Sequence, residues 1–152
     1  RTTIFDYAGV PAHQRFMNNG KFDAGQLTEE EKALHSFYKD VMNIAATHSA
    51  INGRYQSLHA LNLSEKDSAY SEQQFAFVRE ENDQGFIVIA NFSDNATGPI
   101  SLIVPASAIK ASSNNLALKP LLSHKGVTLE QEGANYRAII TLDALETKVF
   151  AF

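Results

Sequence analysis

Residues 75–93 read FAFVREENDQGFIVIANFS and contain two apolar arms joined by a polar loop. The second arm, residues 85–92, is an almost unbroken run of β-branched and aromatic residues, which is typical of a strand covered on both faces. The loop, residues 81–85, ends in glycine and has an ordinary length for a β-hairpin. We therefore predict that this hairpin forms the centre of a sheet that packs against another layer. Nothing in the second arm has a catalytic pattern.

The composition is that of a globular protein. The chain has 152 residues, of which 44% are hydrophobic and 20% charged, enough for one domain with a sizeable core and no general disorder. The net charge of −4 and the absence of a lysine or arginine cluster predict no nucleic-acid partner. No apolar run approaches the length of about 20 residues that a membrane span needs, so none is expected. The lack of cysteine excludes disulfides and thiol chemistry and leaves the compartment open.

The period of the apolar residues changes to two after residue 53, which predicts strands. Polar turns separate eight such segments, and this spacing is typical of an antiparallel β-sandwich. The predicted strands cover residues 54–61, 73–80, 85–92, 99–104, 116–122, 127–131, 136–142 and 146–152.

The first third of the chain predicts an irregular segment and one long helix. Residues 1–27 combine many turn residues with large hydrophobic ones, so we expect a loop that lies on another surface, with one short helix near residues 11–17. Thr28 and Glu31 have the spacing of a capping box and begin a helix that extends to residue 48. An apolar face follows at spacings of three and four, and we expect it to pack on a partner layer or to drive self-association. This face contains Leu34, Phe37, Tyr38, Val41, Met42 and Ala45.

Several motifs, taken in order, resemble the C-terminal part of the α-amylase family, glycoside hydrolase family 13. Each motif is short, but their order and spacing match over nearly all of the chain. They are TTIFDY at 2–7, FMNNGKFD at 16–23, FYKD at 37–40, SAINGRY at 49–55, FAFVR at 75–79, VIANFS at 88–93 and LDALETKVF at 142–150.

The resemblance implies three segments. Residues 1–27 would correspond to the last βα loop of a (β/α)₈ barrel, residues 28–48 to the last barrel helix, and residues 49–152 to an eight-stranded Greek-key sandwich, domain C. The catalytic aspartate, glutamate and aspartate of this family lie on earlier barrel strands, whose motifs are absent here. The start at Arg1, without methionine, is accordingly expected to be a cut.

The function that the resemblance implies is that of a non-catalytic accessory domain. It would stabilise the barrel of an α-amylase-type or cyclomaltodextrinase-type enzyme acting on α-1,4-glucans such as starch, maltooligosaccharides or cyclodextrins. The expected partner is the missing barrel, with α-glucan as a further ligand. No cofactor is expected in this part of the chain, and the resemblance allows calcium in the remainder. The alternative is a starch-binding module, although the absence of tryptophan disfavours it.

Few residues are candidates for chemistry. The resemblance places Asp6, Tyr7, His13 or Arg15 at the rim of the barrel's active-site face. Tyr7 and Tyr70 are the candidate substrate-binding residues, and we expect Tyr70 to be exposed because its loop, residues 64–72, is polar. The five histidines lack metal-ligand spacing. The remaining carboxylates close in sequence lie at the hairpin tip, where we expect them to face water rather than to act in catalysis: Glu80, Glu81 and Asp83.

Overall fold

The computed structural model describes residues 9–82, 84–110, 113–122 and 124–152. The chain divides into two compact units, the first ending at Ala46 and the second comprising Thr47–Phe152. The predicted substrate-binding residue Tyr7, together with Asp6 and Asp83, lies outside the described residues.

Two α-helices lie within the described residues 10–46 and the adjoining Thr47 of the chain. Helix α1 comprises Pro11–Met17 and begins with proline, whose fixed φ suits a first helical position. Helix α2 comprises Glu29–Thr47 and starts with three acidic residues, which favour the positive end of the helix dipole. Both predicted helices are confirmed, α1 at its predicted bounds and α2 to within one residue at each end.

The capping box at the start of α2 is also confirmed. The backbone N–H of Thr28 donates to Glu31 Oε2 at 3.0 Å, and the N–H of Glu31 donates to Thr28 Oγ1 at 3.3 Å. These two bonds satisfy donors that a helix start otherwise leaves unpaired.

The second unit is formed mainly by strands. Eight strands and one short helix, α3 at His59–Leu63, lie in its described residues. This confirms the predicted mainly β fold with eight antiparallel strands. The strands are β1 Arg54–Ser57, β2 Gln74–Glu81, β3 Gln84–Asn91, β4 Ile100–Pro105, β5 Asn115–Pro120, β6 Val127–Glu132, β7 Asn135–Ile140 and β8 Thr147–Ala151.

The strands form one curled sheet in the order β1-β2-β3-β8-β5-β6-β7-β4. Strand β5 connects its two halves, since residues 115–118 pair with β6 while Lys119 and Pro120 pair with β8. In the second half, β5, β6 and β7 are joined by hairpins, and β4 returns beside β7, which is a Greek-key arrangement. Strand β4 is therefore an edge strand, as is β1 at the other end.

The predicted central hairpin is formed by β2 and β3, in a register that pairs Phe77 with Val88. Strand β3 is covered on both sides, as predicted: Ile87 and Ile89 on one side are 0% exposed, and Phe86 and Ala90 on the other are 3% and 9% exposed. The side of Ile87 and Ile89 forms the core, together with the largest enclosed side chains of the other strands. These include Tyr136, Phe150, Ile100, Leu102, Leu129 and Leu142.

The first predicted strand, residues 54–61, is wrong in its second half. Strand β1 ends at Ser57, and α3 begins at His59, where the backbone N–H of His59 donates to Ser57 Oγ at 3.3 Å. Leu58 is fully buried between the two elements. The chain leaves the sheet here because Asn62, on α3, hydrogen-bonds the backbone of β4. This contact lies 41 residues away in sequence, so local periodicity cannot predict it.

Candidate functional site

The outward side of β2 and its neighbours carries aromatic residues that are accessible to solvent. Side chains alternate across a strand, so Ala76 and Val78 point into the core while Phe75 and Phe77 point outward. Tyr55 is 48% exposed, Phe75 36% and Phe92 69%. We call this set the outer aromatic surface. It consists of Tyr55, Phe75, Phe77, Val88, Phe92 and Val149. The register of β1, β2, β3 and β8 places five of them on one side. Phe92 directly follows β3, and its N–H donates to the Gln73 carbonyl at 2.8 Å, so it continues the same alternation.

The rings of this surface contact one another. The ring centre of Phe77 lies 5.5 Å from that of Tyr55 and 6.1 Å from that of Phe75. The His59 ring lies 5.6 Å from Phe75 on the other side. These separations are normal for interacting aromatic pairs, so the side chains hold one another in place rather than moving independently.

Arg79 borders the surface and attaches the incoming chain to it. Its Nη1 donates to the carbonyl oxygens of Ile51 at 2.8 Å and Gly53 at 3.2 Å, and its guanidinium carbon lies 5.6 Å from the centre of the Tyr55 ring. The 3₁₀ turn Ser49–Asn52 is thereby held against β2. The chain enters the sandwich on the outward side of the sheet, next to the outer aromatic surface.

The segment by which the chain enters the sandwich, residues 48–52, also covers Phe86. The His48 ring packs edge-on against Phe86, with ring centres 5.3 Å apart, and Ala50 in the following turn is fully buried. This explains why Phe86 is buried although it points outward, while the rings farther along the sheet stay exposed.

The expectation that Tyr70 is exposed is wrong. The residue is 5% exposed, and its hydroxyl oxygen lies 2.9 Å from His59 Nδ1. Burial raises the pKa of Tyr70 to about 12. The prediction relied on the polar residues of the surrounding loop, but the Tyr70 ring points inward and packs in the hydrophobic core. Its assignment as a glucan contact stays a prediction, and a buried ring offers no open face for a sugar to stack on.

The expectation for the hairpin carboxylates is wrong at Glu80. Its side chain is 3% exposed and lies near two cations, with Oε1 3.2 Å from Lys110 Nζ and Oε2 3.6 Å from Arg54 Nη2. Oε1 accepts no hydrogen bond of good geometry, so the interaction with Lys110 is mainly that of opposite charges. Glu80 points inward because it alternates with Arg79 along β2. Its charge is balanced by cations, as a buried carboxylate requires.

The first unit has a separate open cleft of about 420 Å³ beside α1 and α2. His13 and Glu31 lie in its mostly apolar wall, which also includes Phe16, Leu34, His35 and Tyr38. Arg15 Nε donates to Glu31 Oε2 at 2.9 Å. This hydrogen bond, followed by the one from Thr28, lowers the pKa of Glu31 to about 2. Glu31 is therefore ionised and already bonded at neutral pH, which makes it a poor general acid.

The described residues contain neither a metal-binding cluster nor a membrane-spanning helix. No group of three or more histidine, cysteine, aspartate or glutamate side chains within residues 9–82, 84–110, 113–122 and 124–152 is arranged to hold a metal ion. In that same part of the chain, no helix has both the length and the apolar character to span a membrane.

The sequence interpretation missed the outer aromatic surface because aromatic residues in strands are usually core. The available signal is in β2 itself, where Phe75 and Phe77 alternate with Ala76 and Val78. A strand that is apolar on both sides needs two covering layers. The inner layer is the other half of the curled sheet. On the outward side, the segment of residues 48–53 covers only the area around Phe86 and Arg79.

Comparison with known proteins finds likenesses among solved structures only. No protein-family model matches the chain, and no curated protein matches it. Solved structures do share the fold, among them these three. AmyP in complex with maltose has a TM-score of 0.59 at 17% identity and is matched over 86% of this chain and 22% of its own. An Anoxybacillus α-amylase has a TM-score of 0.55 at 11% identity, with coverage of 87% and 25%. A variant of the trehalulose synthase MutB has a TM-score of 0.51 at 15% identity, with coverage of 86% and 21%.

These likenesses show the fold. In each case most of this chain matches only a quarter or less of a much longer protein. A fold can carry different activities, so the function rests on further argument.

Proposed function

We propose that this chain is the C-terminal accessory part of a glycoside hydrolase family 13 enzyme acting on α-1,4-glucans, and that it catalyses no reaction itself. The observation that supports this proposal is the match of 86–87% of the chain to 22–25% of the chains of AmyP and an α-amylase. The order of the motifs from FMNNGKFD to LDALETKVF supports the same proposal independently of the structure.

The proposed division of the chain follows from this likeness. Residues 1–27 are the last βα loop of a (β/α)₈ barrel, residues 28–48 its last helix, and residues 49–152 the sandwich that packs on the barrel. The capping box at Thr28 and the turn at Ser49–Asn52 are compatible with the two proposed boundaries. The barrel is the proposed partner, and any calcium ion is proposed to bind there.

The carboxylates support a non-catalytic role. Retaining glycosidases hold two carboxyl groups about 5 Å apart across the scissile bond, with one of them at a raised pKa. Glu80 is enclosed by Arg54 and Lys110, and Glu31 has a lowered pKa next to Arg15. Glu31 is thus a poor proton donor to a leaving group, and the Glu80 side chain, 3% exposed, offers no open access to a substrate.

The decisive experiment is to sequence the coding region upstream of Arg1 and to assay both products. We expect an in-frame barrel of about 250 residues or more that carries the aspartate, glutamate and aspartate of the family. The longer chain should hydrolyse or transfer maltooligosaccharides, and the 152-residue chain should not. A start codon next to Arg1, or hydrolysis by the 152-residue chain, would overturn the proposal.

A carbohydrate-binding module is the second candidate, and the exposed rings of Tyr55 and Phe75 favour it. Titration calorimetry of the 152-residue chain with maltoheptaose at millimolar concentration tests it. Heat of binding that is lost in Tyr55→Ala would support this candidate, and no heat would exclude it.

A further inference from the structure

We infer that the outer aromatic surface is the face on which the sandwich packs against the barrel of the longer chain. This inference rests on the proposed function and adds to it the residues that form the contact.

The surface has the composition of a protein contact. Three large rings, those of Tyr55, Phe75 and Phe92, are 36–69% exposed on one side of one sheet. Val88 and Val149 lie beside them and are half-buried. Contiguous apolar patches are uncommon on isolated proteins and mark interaction sites where they occur.

Two polar side chains next to the rings are already paired within the sandwich. Arg79 donates to the carbonyls of Ile51 and Gly53, and His59 Nδ1 is paired with the Tyr70 hydroxyl. Sugar sites combine an apolar floor with free polar groups that fix the orientation of the ligand. Since Arg79 and His59 Nδ1 are engaged in this way and the exposed area is mostly ring and aliphatic carbon, an apolar protein layer suits the surface better than a glucan.

The point at which the chain enters the sandwich indicates what covers the outer aromatic surface. His48 packs on Phe86 and the following turn is held by Arg79, so the chain enters the sandwich on this side of the sheet. A covalent tether gives the preceding part of the chain a high effective concentration at this surface. The larger part of a longer chain therefore reaches the outer aromatic surface before any free partner does.

The test uses thiol labelling, because the 152-residue chain contains no cysteine. Phe92→Cys and Phe75→Cys are prepared in the 152-residue chain and in the longer chain, and maleimide labelling is followed by peptide mass analysis. The control is Ile139→Cys, an apolar position on β7 that is 63% exposed and lies outside the surface.

We expect both test positions to label at least ten times more slowly in the longer chain than in the 152-residue chain, and the control to label equally in both. Equal rates at Phe92 and Phe75 would overturn the inference while leaving the proposed function intact. Slower labelling in the 152-residue chain on addition of maltoheptaose would also overturn it, because the surface would then be a glucan site. The absence of an upstream barrel would instead disprove the proposed function.

Discussion

Asn62 and Ile103 exchange two hydrogen bonds across 41 residues of sequence. Asn62 Nδ2 donates to the Ile103 carbonyl at 2.9 Å, and the Ile103 N–H donates to Asn62 Oδ1 at 2.7 Å. The side chain thus takes the place of a neighbouring strand beside β4, the edge strand. Ser68 acts similarly, since its Oγ accepts from the N–H of Ser101 at 3.0 Å. Pairing these groups protects an edge that would otherwise be open to another chain.

Replacing Asn62 should therefore destabilise the sandwich. Asn62→Ala leaves a buried N–H and a buried carbonyl of β4 unpaired, and we expect a loss of about 2–4 kcal/mol in the free energy of unfolding. Urea unfolding followed by circular dichroism measures it. Asn114→Ala, at an exposed loop position, is the control and should change the value by less than about 0.5 kcal/mol. A wild-type midpoint for Asn62→Ala would contradict the prediction.

Removing Arg79 should loosen the entry of the chain into the sandwich. We expect Arg79→Ala to cost about 1–3 kcal/mol, because charged hydrogen bonds to the Ile51 and Gly53 carbonyls are lost. Arg79→Lys should recover only part of this, since a lysine does not reproduce both the forked donors and the stacking on Tyr55. The measurement is hydrogen exchange at the amides of Ile51 and Gly53. Lys119→Ala, on exposed β5, should leave that exchange unchanged.

Alanine substitutions at two glycines, Gly53 and Gly98, should differ sharply in their effect on stability. A Cβ at Gly53 would lie 2.4 Å from the backbone oxygen of Glu80, so Gly53→Ala must move a strand and should cost about 1–3 kcal/mol. A Cβ at Gly98 would lie 3.4 Å from Ala69 Cβ, so Gly98→Ala should change stability by less than about 1 kcal/mol. Thermal unfolding of the two variants measures the difference, and Gly53→Ala should have the lower melting temperature. Equal melting temperatures would contradict the prediction, because β2 would then move at Glu80 without loss of stability.

Acid should weaken the start of α2. The pKa of Glu31 in the folded chain, about 2, lies below its ordinary value, so ionised Glu31 favours the folded state. This contribution is complete above about pH 5 and is lost as the pH falls toward 2. We expect Glu31→Gln to reduce helicity at pH 6 and to match the unmodified chain near pH 2, as measured by far-ultraviolet circular dichroism. Glu72→Gln, in a loop of the second unit, should not reproduce this difference. Helicity of Glu31→Gln equal to that of the unmodified chain at pH 6 would contradict the prediction.

Self-association through α2 stays a prediction. Phe37, Tyr38 and Met42 are 48%, 61% and 64% exposed, which is unusual for large apolar side chains on one helix. Light scattering should show a mass that rises with the concentration of the 152-residue chain, and Phe37→Glu with Met42→Glu should abolish the rise. Lys39→Ala serves as the control and should leave the rise of mass with concentration unchanged. A single monomeric mass at high concentration would refute the idea.

The prediction from sequence was accurate where the signal is local. The capping box at Thr28, the hairpin of residues 75–93 and the alternation in β4 and β7 each depend on residues that are neighbours in sequence. The predicted loop of that hairpin, residues 81–85, was too long, because Glu81 pairs with Gln84 and Glu80 pairs with Gly85 as parts of the two strands. It was wrong at Tyr70, at residues 58–61 and at Glu80. The first two errors lie in the segment that covers β4, and contacts with that distant strand determine its conformation. The third arises because Glu80 is buried beside Arg54 and Lys110, which are distant in sequence.

The amino-acid sequence by itself determined the two helices of the first unit, most of the eight strands and the burial of Phe86, Ile87 and Ile89 on both sides of β3, because periodicity, capping and turn residues act over a few positions. Only the tertiary structure decided which side of β2 stays open to solvent, that Glu80 is buried between two cations, and that Asn62 completes the edge of the sheet. Each of these depends on groups brought together from distant parts of the chain, and the free energy of such contacts exists only once the chain has folded.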